Sequence, residues 1–520
     1  MSDTIAAIAT GGQVSAIGII RVSGGDAIRL ADMVFEPCGG ISSESSGSTH
    51  LAAAARKPMS EMPDRKLVYG RLHDRNDETL DLCLCTISRA PKSYTGENTV
   101  EFQCHGSPVL LRAVLEELFA LGARQALPGE FSKRAFINGR MDLTSAEAVA
   151  DIIDAESIEA ARNAAGQLSG AIFRKADGIY SSLTDISAHY HAVLDYPDED
   201  IEAFQLELYS FVLESSISEL KKLLATFERG RTIKSGIPAA IIGRPNAGKS
   251  SLLNYLLGYE RAIVTDIPGT TRDTIEEKVR LGRCILRLTD TAGIRETSDA
   301  IEKLGVDRSR IALENAELAM AVVDGNEAYA LLTSENCNKC VSTVDCDIVQ
   351  RYSDDAVTKT GTEFELLPET EEILRSALRV PKSIVLISKS DSVDGTAFER
   401  LTAQVTQAVR TLSDSSDIPV IRFSSVTGEG LDDLSAAVEQ LFPFPAAPAG
   451  EILTNARHAD AIGRALASLE AALEAMKLGS TPDIVLTETE EAMEAIGELT
   501  GRTVREDITS RIFARFCVGK

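Results

Sequence analysis

The residues Gly243-Arg244-Pro245-Asn246-Ala247-Gly248-Lys249-Ser250 carry the most specific chemistry in this chain. They fit G-x-x-x-x-G-K-[ST] and follow the apolar run Ile237 to Ile242, the setting of a phosphate-binding loop between a buried parallel strand and a helix. Glycines let backbone N–H groups wrap a polyphosphate, the helix N-terminus favours negative charge, and Lys249 neutralises the outer phosphates. The Ser250 hydroxyl is placed to hold Mg2+. Ser251 leads into a helix whose apolar residues are Leu252, Leu253, Leu256 and Leu257. Such a loop binds a nucleoside triphosphate.

Four further patterns, each at the end of a predicted strand or in a loop, narrow the nucleotide. Asp290-Thr291-Ala292-Gly293 follows the loop by about forty residues, where a carboxylate holds Mg2+ through water and a glycine N–H meets the γ-phosphate. Thr270 and Thr271, within Gly269-Thr270-Thr271-Arg272-Asp273, can reach the same metal. Ser388-Lys389-Ser390-Asp391 stands where the base is read. Asp391 can accept two hydrogen bonds from guanine, and adenine would leave it facing a misplaced group. Ser424-Ser425-Val426 can offer backbone N–H to guanine O6. In this order the patterns describe a GTPase. Ile294, after Gly293, cannot orient water as the glutamine of signalling GTPases does, and no arginine finger is evident. A metal cation can fill that role.

The surrounding chain must position these groups. Its 520 residues suffice for several domains, with 44% hydrophobic and 25% charged residues, as in ordinary globular proteins. With 53 basic and 78 acidic residues the net charge is −25, so nucleic acid has to be gripped by local basic patches or a partner. The nine cysteines have irregular spacing, which points to a reducing compartment. The first basic residue is Arg21 and no apolar run approaches a membrane span, so the expectation is a cytoplasmic protein without a span. Residues 1–140 read as α+β, with strands at Thr4–Thr10, Ala16–Val22, Leu80–Ile87 and Thr99–Cys104, and helices from Asp26 and over Val109–Leu121. Ile41 to Pro63 reads as a surface loop. Cys83 and Cys85 share a face and read as packing residues. Residues 141–234 and 447–520 are helical and form one domain, interrupted by an inserted α/β domain at 235–446. The candidate strands of that domain are Ile237–Ile242, Cys284–Thr289, Leu318–Val323, Ser383–Ser388 and Pro419–Phe423. The stretch 326–380 is too long for a simple connection and reads as a disordered or weakly structured insertion. Its Cys337, Cys340 and Cys346 lack a fourth zinc ligand nearby.

Beyond the GTPase patterns, Pro91 to Glu101 (PKSYTGENTVE), Leu127 to Leu143 (LPGEFSKRAFINGRMDL), Leu194–Ile201 and the ending Phe516-Cys517-Val518-Gly519-Lys520 resemble the MnmE/TrmE family of tRNA-modification GTPases. That resemblance implies a multidomain fold: an α+β folate-binding and dimerisation domain, a helical domain, and an inserted Ras-like P-loop domain. It implies a homodimer and a heterotetramer with an FAD-dependent MnmG/GidA-family protein. Together these place a carboxymethylaminomethyl-type group on C5 of the wobble uridine of tRNA, using 5-formyl- or 5,10-methylene-tetrahydrofolate. The implied folate contacts are Arg21, Glu101, Arg140 and Lys520. GTP would lie against residues 246–251, Thr265, Asp266, Ile267, Pro268, Gly269, Thr270, Thr271, residues 290–293, 388–391 and 424–426. Mg2+ would be held by Ser250 and Thr271, and K+ by Asn246, Thr265, Ile267 and Thr270. Glu302 would orient the attacking water. Cys517 would face the one-carbon unit, with the tail packed across a dimer onto the N-terminal domain.

The family usually has asparagine at 388, alanine at 425 and glycine at 107, where this chain has serine. A serine at 388 is expected to bridge to the P-loop less well, lowering guanine affinity. The loops at 36–66 and 326–380 are longer than the family needs. Two other readings suit parts of the chain. One is a ribosome- or RNA-assembly GTPase, which the nucleotide motifs alone would satisfy. The other is a non-catalytic folate-sensing scaffold.

Overall fold

The computed structural model describes residues 3–38, 57–195, 206–259, 276–289, 312–327, 366–413, 417–443, 448–502, 512–514, 516 and 518–519. Its N-terminal part is a sheet of β1 (Ile5–Ile8), β2 (Ser15–Ser23), β3 (Phe35–Pro37), β4 (Val68–His73), β5 (Thr79–Ser88), β6 (Thr99–Gly106) and β7 (Arg124–Gln125). The spatial order is β3-β4-β5-β6-β2-β1-β7. All neighbours are antiparallel except β1 and β7. Period-two alternation in β5 buries Cys83, Cys85 and Ile87 on one face, where they share a core with Leu30 of helix Ala27–Val34 and with Leu111 and Val114 of helix Pro108–Ala120. Strand β4 escaped the sequence reading because Gly70 interrupts its alternation. The reading of Ile41 to Pro63 as surface loop fails at Met59, which is fully buried in a 3-10 turn; residues 39–56 lie outside the described set.

Helices Leu143–Ile153, Ile158–Leu168, Ala171–Asp195, Leu206–Leu224 and Phe227–Ser235 precede the nucleotide-binding part, and Ala456–Lys477 and Pro482–Thr500 follow it. The two sets close on one core, in which Leu183, Leu213 and Leu220 meet Ile462, Leu469 and Ile496. Glu147 ties the sets together. Its carboxylate accepts from Arg457 at 3.0 and 2.7 Å and from Asn455 Nδ2 at 3.1 Å, and lies 2.6 Å from His458 Nε2.

Between these sets lies a second sheet of β8 (Ile237–Gly243), β9 (Glu276–Leu281), β10 (Cys284–Thr289), β11 (Leu318–Asp324), β12 (Lys382–Ser388) and β13 (Val420–Arg422), ordered β13-β12-β11-β8-β10-β9. Only the β9 edge strand is antiparallel to its neighbour. Both faces are covered by apolar layers, which is why β11 is buried along its whole length. The insertion reading of 326–380 is corrected at its end. Pro368–Ala377 is a helix with Pro at its start, and Leu374 and Ala377 sit fully buried against the sheet. Where the chain enters and leaves this part, Arg229 donates to the carbonyls of Phe442 and Pro443 and lies over the Phe442 ring.

Among the described residues, no helix is long and apolar enough to cross a membrane.

Candidate functional site

Parallel strands aim their C-terminal ends at one rim of the sheet, where ligands bind in open α/β folds. Here that rim carries Gly243 on β8, Asp324 on β11 and Ser388 on β12. The P-loop leaves β8 through Asn246 at φ 63° and Gly248 at φ 96°, and helix Lys249–Tyr259 follows at once. The left-handed turn at Gly248 suits glycine, because its Cβ position also lies 3.4 Å from the Ser388 side chain. Lys249 Nζ donates to the carbonyls of Gly243 (2.8 Å) and Arg244 (2.7 Å). Burial lowers its pKa, so the ammonium is held desolvated at the place where phosphate oxygens would take over from the carbonyls. Asn246, Pro245 and Ser250 are exposed.

The base-reading loop is fastened to the P-loop by two side chains. Ser388 Oγ is buried and lies 2.7 Å from Ala247 O and 3.1 Å from Val323 O. Serine therefore does span the gap to the P-loop, because β12 runs close beside β11 and the loop. Lys389, at φ 58°, donates to Asn246 O at 2.9 Å and to Asp324 at 2.8 Å. Asp391 accepts from Ser424 Oγ at 2.6 Å, and the same serine oxygen accepts the N–H groups of Val426 and Thr427 at 3.2 Å. Ser390 bonds to Glu429 at 2.7 Å. These contacts bring Lys249, 388–391 and 424–426 to one rim.

Behind the P-loop lies a set that sequence reading missed. Arg244 pairs with Glu369 at 2.6 Å and Glu327 at 3.5 Å, and Thr370 Oγ1 donates to both Glu327 oxygens at 2.9 and 3.0 Å. Burial pushes the Glu327 carboxyl up to about 7, against the opposing pull of Thr370 and Arg244. The only sequence signal was the arginine in the second position of the loop, since Thr370 is 43 residues from its partner.

The second predicted set gathers in the N-terminal part. Arg21 Nε donates to Glu101 at 2.8 Å across β2 and β6, and its guanidinium lies 5.2 Å from the Tyr94 ring centroid and 5.7 Å from that of Phe131. Both aromatic neighbours went unremarked, although they lie inside the quoted motifs. Arg140 donates to Ser93 O at 3.1 Å. The two N-terminal motifs lock together here: Glu97 accepts from Ser23 at 2.8 Å and from Arg134 at 3.0 Å, and Asn138 donates to Thr95 O at 2.7 Å. Within the single chain the tail itself reaches this place. Phe513 and Phe516 pack on Leu143 and Ala146, and Gly519 O lies 3.5 Å from Arg21 Nη1. Gly519 is required there, because its φ is 98° and a Cβ would sit 2.3 Å from Ile8 O. Thr265, Asp266, Ile267, Pro268, Gly269, Thr270, Thr271, Asp290, Thr291, Ala292, Gly293, Glu302, Cys517 and Lys520 lie outside the described residues, as do Cys337, Cys340 and Cys346.

Residues 4–140 match the family model described as "GTP-binding protein TrmE N-terminus", and residues 143–517 match "MnmE helical domain". The chain is 37% identical over 519 residues to the tRNA modification GTPase MnmE of Roseiflexus sp. (strain RS-1), covering 100% of this chain and 99% of that protein. It is 38% identical over 520 residues to its namesake in Roseiflexus castenholzii and 36% over 526 residues to that of Acetivibrio thermocellus, with the same coverage in each case.

Proposed function

Because the chain belongs to the MnmE/TrmE family of tRNA modification GTPases, we propose that it hydrolyses GTP at the P-loop rim to drive modification of tRNA. The observation that carries this reading is the convergence of Lys249, Ser388, Lys389 and Asp391 on one rim. Lys249 exchanges its two carbonyl acceptors for phosphate oxygens. Asp391, oriented by Ser424, takes the guanine Watson–Crick edge through its remaining acceptor positions. Ser388 and Lys389 keep the base loop and the phosphate loop in register, so base and phosphates are read as one ligand.

Ser250, exposed in the first helical turn, suits Mg2+, with Thr271 as its second protein ligand. Asn246, exposed at the loop's left-handed turn, suits K+ beside Thr265, Ile267 and Thr270. These cations supply the charge neutralisation for which no arginine finger is evident, and Glu302 orients the water that Ile294 cannot. Arg21 and Glu101, a cation and a half-buried carboxylate beside aromatic rings, suit a tetrahydrofolate carrying one carbon, with Arg140 and Lys520 as further contacts. Cys517 acts at that carbon as a thiolate, which a cationic side chain beside the folate would favour. The product is a carboxymethylaminomethyl-type group on C5 of the wobble uridine, made with an FAD-dependent partner in a cytoplasmic complex of a homodimer with that partner. The proposed domain division is 1–140, 141–234 with 447–520, and 235–446. Phosphate release tests the site: GTP should be hydrolysed and ATP should not, faster in KCl than in NaCl. Asp391→Asn should move the preference to the xanthosine nucleotide. ATP turnover equal to GTP turnover would remove the base-reading role of Asp391.

A further inference from the structure

Strand spacing alone makes Cys83 a packing residue, but the register of the sheet gives it a second thiol. The pair Leu84–Gln103 joins β5 to β6, so the next step along both strands sets Cys83 and Cys104 on the same face. The neighbouring Cys104 thiol, together with burial, pushes the Cys83 thiol far above its ordinary value. Asp81, two residues before Cys83, projects from the same face of β5. One oxygen of Asp81 and the two sulfur atoms all lie within 4.8 Å of one another.

Both cysteines are buried, and the Asp81 side chain is 8% exposed. The carboxylate is already aimed: Oδ2 accepts the His105 backbone N–H at 2.9 Å, and Oδ1 lies 2.8 Å from His105 Nδ1. The His105 side chain is 75% exposed, so solvent reaches the cluster from that side. Two sulfurs and a carboxylate oxygen within 4.8 Å of one another can take three corners of a tetrahedral Zn2+ site, whose thiolates stand about 3.8 Å apart once bound. A histidine holding the ligating carboxylate is the outer-shell arrangement that fixes ligand direction.

We propose that Asp81, Cys83 and Cys104 bind one thiophilic divalent cation of the Zn2+ class, with His105 positioning Asp81 and solvent in the fourth place. Binding displaces a proton from each thiol and gives each sulfur-to-metal bond in its place, without oxidation or reduction. The cation pins β5 to β6, the strand that carries Glu101. The inference is independent of the GTPase reading.

The test uses the full-length, reduced, chelator-stripped protein with Cys337, Cys340 and Cys346 changed to Ser, so that those thiols cannot contribute. Titration with Co2+ should raise a near-ultraviolet thiolate charge-transfer band that saturates at about one ion per chain, and Zn2+ should abolish it. The band should vanish in Cys83→Ala/Cys104→Ala. Metal affinity should fall about ten-fold or more in Asp81→Asn and in His105→Ala. If the double cysteine variant does not fold, alkylation of the unaltered pair decides: Zn2+ should protect Cys83 and Cys104 from iodoacetamide, as mapped by mass spectrometry. No thiolate band, a band that survives the double variant, unprotected thiols, or an affinity unmoved by Asp81→Asn would each overturn the proposal and leave the pair as a packing contact.

Discussion

Two buried glutamates hold sequence-distant segments together, one in the helical part and one behind the P-loop, and they titrate in opposite directions. Burial alone would raise Glu147, but His458 and Arg457 overcome it and hold its carboxyl at about 2. Glu327 is buried to a similar degree, yet it receives one hydroxyl and a share of an arginine that also serves Glu369, and it ends at about 7. The number and quality of partners decide the outcome. Glu147 welds two halves of a helical core. Glu327 is an under-compensated charge behind a loop that has to accept and release a triphosphate, and its ionised form costs stability.

The sharpest way to break this comparison is to remove Glu147. Glu147→Ala leaves Arg457 and His458 without their acceptor, and stability should fall by about 3–5 kcal/mol in urea unfolding at neutral pH. A loss below about 1 kcal/mol would show that the weld lies elsewhere. In the intact protein the Glu147 contribution is present above the unfolded carboxyl value of 4.5 and disappears as pH falls from there towards about 2.

Glu327 should behave with the opposite sign. Its folded value of about 7 exceeds the unfolded 4.5, so the folded state binds the extra proton between them and stability declines as pH rises through that window. Glu327→Gln should therefore gain about 3 kcal/mol relative to the parent on going from pH 5 to pH 8, an upper figure from the shift itself. A variant with the parent's pH profile would contradict the assignment.

How far the sequence revealed these parts follows from the range of the interactions. The P-loop, the strand ends at 388 and 424, and the two helical sets declared themselves through local patterns. Every residue at 249 and 388–391 lies on the expected rim. What stayed hidden depended on partners far along the chain: Glu327 with Arg244 and Thr370, Cys83 with Cys104, and Gly519 against Ile8. Edge strand β9 was missed because Glu276-Glu277-Lys278-Val279-Arg280-Leu281 alternates over too few residues to stand out from a polar loop. Helix Pro368–Ala377 was hidden by the long insertion before it.

Smaller effects refine the nucleotide side. Ser388→Ala removes the hydroxyl that lies between the Ala247 and Val323 carbonyls and should weaken GDP binding about ten-fold, read by calorimetry. Unchanged affinity would mean that Lys389 alone fastens the loops. Thr370→Val removes a hydroxyl that favours the ionised Glu327. The midpoint of the pH-dependent stability change should then move upward from about 7, at a cost of about 1 kcal/mol above that midpoint. A downward shift would reverse the role given to this contact.

The most direct measurement is the mass of wobble uridines in tRNA from cells lacking this chain and supplied with either the parent protein or Lys249→Ala. The parent should restore the C5 modification, and Lys249→Ala, made to the same level, should not. Full modification with the lysine variant would separate nucleotide chemistry from tRNA chemistry and contradict the proposed function.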